Sequence, residues 1–257
     1  MKLITDGRYQ SQRSVLALGM FDGVHIGHRV LMERARRMAA RLGAELIVCT
    51  FAEHPLKLIA PDRLPPQLTT LEERAALMEA LGADVFYALP VDGAVLDMEP
   101  EVYAGHLVRW FHPLHVVCGY NHHFGKGGKG TPALLAALGA GLGFGVTVVP
   151  EIRLDGNEVS SSAIRAAIVS GDVARAARLL SRPYALNGRV TGRDGRRVSV
   201  AFTEKGKPLP HPGAYLIRLT DGARAYPVKA RLYESAAMCT LDEAAPLGAD
   251  VRLEWLR

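Results

Sequence analysis

The sequence predicts an α/β protein: a doubly wound, Rossmann-like parallel sheet followed by a small antiparallel β-barrel-like module. Three observations carry this. Apolar runs of strand length alternate with helical patterns up to about residue 182. Those runs are almost continuously apolar, as strands buried on both faces require. After Tyr184 the texture changes to alternating runs joined by Asp-Gly pairs, the strongest short-range hairpin signal. The chain accordingly divides into residues 1–184 and 185–257.

In order, strands are expected at 14–19, 45–51, 84–89, 115–118 and 146–150. Between them lie helical patterns near 28–42, 70–82, 99–110 and 131–139. The first of these carries Leu31, Ala35, Met38 and Leu42 on one face and is closed by Gly43. Thr70 and Glu73 form a capping box that opens the second, and Gly82 ends it. Two short helices, 161–170 and 173–181, are separated by Gly171-Asp172 and stopped by Pro183. In the tail, the runs around Asp194-Gly195 and Asp221-Gly222 read as two hairpins.

With 257 residues, 49% of them apolar, the chain can bury a sizeable core. No segment reaches the length of a membrane span, and no basic stretch followed by an apolar run opens the chain. Cys49, Cys118 and Cys239 are odd in number and not in metal spacing. A reducing cytoplasm is the expected setting. The net charge of +5 suits anionic small molecules. Nucleic acid is not expected as a partner, because there is no basic run or aromatic–basic repeat, and no pattern encodes an oligomeric state.

The most informative segment is Leu18-Gly19-Met20-Phe21-Asp22-Gly23-Val24-His25-Ile26-Gly27-His28, where the first of these strands turns into the first helix. Glycines there let the backbone approach an anion, and the helix N-terminus aims free N–H groups at it. Two imidazoles at that point can hold charge on a phosphoryl group during its transfer. The pattern is that of a nucleotidylyltransferase. The alternative makes His25 and His28 plain turn and cap residues, but a helix start favours Ser, Thr, Asp or Asn over His.

Four further segments bear on the substrate. Phe51 and His54, at the end of the second of these strands, are placed to touch a ligand in the crevice; in the plainer reading His54 is a solvated residue before Pro55. Asn121 can read a ring edge and Phe124 can pack on a flat ring; His122 and His123 lack a further ligand at metal spacing, so no protein metal site is expected. Gly125 to Thr131 is not a P-loop, since its Lys129 precedes the last glycine; it reads as a mobile basic lid or a solvated loop. Finally, Ser160, Ser161 and Ser162 open a helix with Arg165 one turn in, a plausible clamp for β- and γ-phosphates or a plain cap with an exposed Arg.

Taken together, G-x-F-D-G-V-H-x-G-H, T-F-x-x-H-P, V-V-x-G-x-N-x-x-F-G-K and S-S-x-x-I-R-x-x-x-x-x-G-D-V-x-x-A-x-x-L-L-x-R-P-Y occur in that order. Over residues 14 to about 184 the chain resembles the prokaryotic bifunctional riboflavin kinase/FMN adenylyltransferases, or FAD synthetases. The resemblance implies transfer of AMP from ATP to FMN, giving FAD and pyrophosphate, with Mg²⁺ accompanying ATP. By position it implies an ATP site of Gly19, Phe21, Asp22, Gly23, His25 and His28, with Ser161, Ser162 and Arg165 on the triphosphate. His25, His28 and Arg165 are then the catalytic groups. Phe51, His54, Asn121, Phe124 and Asp172 contact the flavin or order the site. His122 departs from the family, which usually has Phe there. The kinase half departs further: Gly192 to Arg197 runs into Val198 to Phe202 with no Pro-Thr-Ala-Asn, although Leu209-Pro210-His211-Pro212-Gly213-Ala214-Tyr215 keeps an echo of it. The expectation is a transferase that has lost its kinase activity. Its rivals are a nucleotidylyltransferase with another phosphorylated acceptor and a non-catalytic flavin-nucleotide-binding regulator.

Overall fold

The computed structural model describes residues 1–241 and 249–256. The chain forms two compact units, residues 1–65 with 69–153, and residues 66–68 with 154–257. The first unit contains strands β1 (Lys2–Ile4), β2 (Ser14–Leu18), β3 (Glu45–Phe51), β4 (Val85–Leu89), β5 (Pro113–Gly119) and β6 (Gly145–Val149). Its helices are α1 (Ile26–Leu42), α2 (Leu56–Ile59), α3 (Leu71–Ala80), α4 (Gly93–Leu96), α5 (Pro100–Phe111) and α6 (Pro132–Leu142).

The six strands pair in parallel in the order β1-β4-β3-β2-β5-β6. Because successive side chains alternate across the sheet, each strand feeds two cores. Val15, Ala17, Leu46, Val48 and Phe86 meet Leu31, Met32 and Ala35 of α1 and Met78 of α3. Leu16, Leu18, Ile47, Val85 and Val116 meet Leu107 and Phe111 of α5 and Leu135 of α6. This is why the strands read as unbroken apolar runs. From β2 the chain winds one way through β3 and β4, then returns to the other side for β5 and β6. The strand order therefore reverses beside β2, and the crevice at the carboxyl ends of β2 and β5 is where such sheets bind ligands.

The expected caps are present. Thr70 and Glu73 exchange side-chain and backbone hydrogen bonds at the head of α3, and Gly43 ends α1 at φ 58°. Sequence reasoning missed β1, a three-residue edge strand, and the single-turn helices α2 and α4, all too short to show a period.

A short hairpin, β7 (Arg153–Leu154) and β8 (Asn157–Glu158), is followed by α7 (Ser161–Val169) and α8 (Val173–Leu180). These two helices group with the tail, so the compact unit starts well before residue 184. The tail comprises β9 (Tyr184–Asp194), β10 (Arg197–Phe202), β11 (Gly213–Thr220), β12 (Ala225–Leu232), β13 (Ala236–Thr240) and β14 (Asp250–Trp255). They close into an antiparallel barrel in the order β10-β13-β12-β11-β14-β9. Both expected hairpins are there, β9–β10 and β11–β12. Gly188 of β9 is required by close approach, since a Cβ there would lie 2.5 Å from Val200 Cγ1 and 2.9 Å from Ala201 O. Leu186, Val198, Val200, Ile217, Leu219, Leu253 and Trp255 are buried within the tail.

Candidate active site

The turn from β2 into α1 is strained and held from several sides. Phe21 (φ 54°) and Val24 (φ 40°) lie in the left-handed region, costly for bulky residues, and Gly23 takes φ 82°. The Asp22 carboxylate accepts from both the backbone N–H (3.1 Å) and the hydroxyl (3.2 Å) of Thr69, whose Oγ1 in turn accepts from Gly23 N at 3.0 Å. Phe21 is 0% and Asp22 3% exposed. Both were expected at ATP; the structure turns them inward, Phe21 into the core as an edge-on backing for the His28 ring at 5.2 Å, and Asp22 onto Thr69. Gly19 follows β2, its N–H donating to Cys49 O at 3.3 Å.

His25 caps α1. Its Nδ1 accepts from His28 N at 3.4 Å, which assigns the ring proton of the neutral imidazole to Nε2 and makes Nε2–H a donor. The His25 and His28 rings are stacked, 3.6 Å between centroids and 18° between planes. Gly27 permits that stack, because a Cβ there would lie 3.1 Å from His25 Cε1. Two imidazoles and the N-terminus of a 17-residue helix thus converge at the reversal point of the sheet.

Across the same edge, Phe51 closes β3 and His54 follows. His54 Nδ1 accepts from Leu56 N at 3.1 Å, heading α2, so its neutral ring likewise carries its proton on Nε2. After β5, Asn121 is exposed in a turn closed by His122 N donating to Gly119 O at 3.1 Å. Phe124, expected to receive a flat ligand ring, is 6% exposed and packs against Tyr103 in the core instead. The ring that lies over it is His122, stacked at 5.8 Å and 18°. Burial, with His123 adding to it, pushes the His122 pKa down to about 4, so the ring is neutral near pH 7.

The lysine loop is tied at its base. Phe124 and Gly130 exchange backbone hydrogen bonds, Lys126 N donates to Met98 O at 2.6 Å, and the two ammonium groups pair with Asp97 (3.3 Å) and Glu99 (3.5 Å). It is a tethered surface loop.

Sequence reasoning missed Thr69 and Arg74. Arg74, one turn into α3, is 4% exposed and donates from Nη1 to Met20 O (3.0 Å) and Phe51 O (3.4 Å) and from Nη2 to Ala52 O (3.2 Å). Burial lowers its pKa, an effect opposed by nearby Asp22 and Glu72. The available signal was a charged residue on the inward stripe shared with Ala75 and Met78.

In the second unit, Ser160 takes the cap of α7, its Oγ accepting from Ala163 N at 3.2 Å, with Ser161 and Ser162 in the first turn. Arg165 donates from Nε to Pro66 O at 2.7 Å. Asp172 caps α8 by accepting from Arg175 N at 3.0 Å, an ordering role. Among the described residues no group of three or more His, Cys, Asp and Glu side chains is placed to hold a metal, and no helix is long and apolar enough to cross a membrane.

A parallel sheet reversing beside a strained glycine-bearing turn, with paired imidazoles at a helix head, defines an α/β protein equipped for phosphate chemistry. The particular family follows from comparison: residues 8–163 match the FAD synthetase family model, and the chain belongs to that family. It is 33% identical over 222 residues to the bifunctional riboflavin kinase/FMN adenylyltransferase of Listeria monocytogenes, covering 84% of this chain and 70% of the relative. The Bacillus subtilis protein of the same description is 31% identical over 224 residues, covering 84% and 71%. That matched share exceeds what residues 1–184 alone could supply, so the similarity runs into the barrel. Among solved structures, a Streptococcus pneumoniae protein described as a macrolide-efflux protein superposes with a TM-score of 0.87 at 22% identity, covering 100% of this chain and 90% of that one. At that identity it speaks for the fold alone.

Proposed function

We propose that this chain is an FMN adenylyltransferase that joins FMN to the AMP part of ATP, releasing pyrophosphate, and that it has lost riboflavin kinase activity. The observation that carries the reading is the stacked His25–His28 pair at the head of α1, with the Nε2–H of His25 assigned as a donor. A phosphate oxygen of FMN attacks the α-phosphorus of ATP in line, and the bond to the β-phosphate oxygen breaks as pyrophosphate leaves. No side chain need become covalently attached, so catalysis rests on positioning and on charge stabilisation at the equatorial oxygens. His25 and His28 donate to the α-phosphate oxygens as negative charge builds there. Gly19 and Gly23 let the backbone come close to the phosphates. Ser161, Ser162 and Arg165 hold the β- and γ-phosphates, with Arg165 supplying fixed positive charge.

On the acceptor side, Phe51, His54 and Asn121 contact the flavin, while Phe124 supports His122 from beneath. Asp172 orders the turn between α7 and α8. Mg²⁺ would enter as part of the substrate MgATP and would help to neutralise charge on the phosphates. Loss of the kinase is supported by the barrel segment after β10, Thr203-Glu204-Lys205-Gly206-Lys207, which has no Pro-Thr-Ala-Asn and whose Glu204 and Lys207 pair with each other at 3.0 Å. A cytoplasmic setting fits the reduced, buried cysteines.

The test is pyrophosphate release from MgATP in the presence and absence of FMN. Release requires FMN, and His28→Ala lowers turnover by ~10²–10³, the scale of losing one preformed oxyanion donor. Release with other phosphorylated acceptors but not FMN would refute the acceptor, and near-normal turnover of the variant would refute the role of His28.

A further inference from the structure

We propose that Arg74 is a positioning residue for adenylyl transfer: its guanidinium ties the ends of β2 and β3 together and so holds the turn that presents His25 and His28. The inference rests on the reading of that turn as the transfer site. Packing alone asks for an aliphatic side chain at this place, since the neighbouring inward positions of α3 are Ala75 and Met78. Burying a guanidinium there is costly unless its donors are met. The capping box of Thr70 and Glu73 sets the first turn of α3 so that Arg74 points inward.

Its three acceptors, Met20 O, Phe51 O and Ala52 O, come from two neighbouring strand ends. Without Arg74 the Phe51 and Ala52 carbonyls lose this donor and the tie between the two strand ends is gone. Thr50 Oγ1 adds a second donor to Met20 O at 3.2 Å, and Asp22 lies near enough to oppose the loss of the Arg74 proton. Arg74 Nε is buried and has no hydrogen-bond partner among the described residues, so the side chain is placed for its terminal nitrogens.

The consequence lies in the backbone. Met20 immediately precedes Phe21, and the left-handed Phe21 and Val24 hold their conformation only if the surroundings over-determine it. Thr69 grips the turn at Asp22 and Gly23, while Arg74 grips it at Met20. With one grip removed the turn relaxes, and the stacked imidazoles lose their register with the α-phosphate. The triphosphate contacts assigned to Ser161, Ser162 and Arg165 are not made by this turn, whereas the α-phosphate contacts that strengthen as charge builds are. The larger effect therefore falls on kcat.

The experiment compares wild type, R74M and R74K for FAD formation, with kcat and the KM for ATP and FMN measured separately. It also records the imidazole NMR signals of His25 and His28 without substrate. Expected are a kcat at least ~10-fold lower in R74M with KM values nearly unchanged, a smaller loss in R74K, and shifted or doubled imidazole signals in both. A folded R74M with wild-type kcat, a loss confined to KM, or unmoved imidazole signals overturns the proposal. If R74M does not fold, R74K is judged by the same criteria. Wild type making no FAD would instead refute the functional reading, while the imidazole spectra would still decide whether Arg74 positions the two rings.

Discussion

His122 shows how one residue can tie stability to pH in the loop after β5. Its folded-state pKa is about 4, and an unperturbed imidazole titrates near 6.5. Below pH 6.5 the unfolded chain gains a proton that the folded protein refuses until about pH 4. Its contribution to stability is therefore constant above about pH 7, falls between 6.5 and 4, and levels off below. Phe at this position keeps the ring stack on Phe124 and removes the titration. Thermal unfolding of His122→Phe against wild type should show a constant difference in Tm above pH 7 that moves in favour of the variant as pH falls to 4. A difference that does not change with pH would mean that His122 takes its proton as freely folded as unfolded. This residue scale is also where the sequence was least informative. Motif spacing brought out His25, His28 and Asn121, but spacing says nothing of which way a side chain turns. Phe21, Asp22 and Phe124 lie within the same motifs and point inward.

At the scale of elements the sequence was a good guide wherever a pattern was long enough to repeat. The capping box at Thr70 and Glu73, the glycine at the end of α1 and the two Asp-Gly hairpins are local devices, and each was visible locally. What escaped depended on tertiary partners: the three-residue β1 pairing with β4, Arg74 on an apolar stripe, and the segment after β10. That segment is held by a buried ion pair. Lys207, with its side chain 3% exposed, meets Glu204 at 3.0 Å, and Glu204 also accepts from Asn187 N at 2.6 Å and Asn187 Nδ2 at 3.1 Å. Removing one partner strands the other charge, a loss of about 3–5 kcal/mol, whereas removing both is far milder. Lys207→Met should therefore lower the unfolding free energy in urea by that amount, and adding Glu204→Gln should restore most of it. A single-variant loss under ~1 kcal/mol would mean that the pair is solvated and contributes little.

For the whole molecule, the sheet order places the transfer motif where physics puts ligands in α/β proteins, at the carboxyl ends of strands beside the reversal of winding. The parallel sheet and an antiparallel, barrel-like tail could both be read from the alternation of runs and turns. The pairings that close the barrel, β10 with β13 and β14 with β9 and β11, could not, because those strands lie far apart in sequence. The barrel is a well-packed module although its sequence lacks a Pro-Thr-Ala-Asn segment, and this contrast is what motivates the proposal that the transferase works without the kinase. The most direct test is product chromatography after mixing the purified protein with MgATP and, in separate tubes, FMN or riboflavin. The account predicts FAD from FMN and no new flavin from riboflavin. No FAD from FMN would contradict the transferase, and FMN or FAD formed from riboflavin would contradict the loss of the kinase.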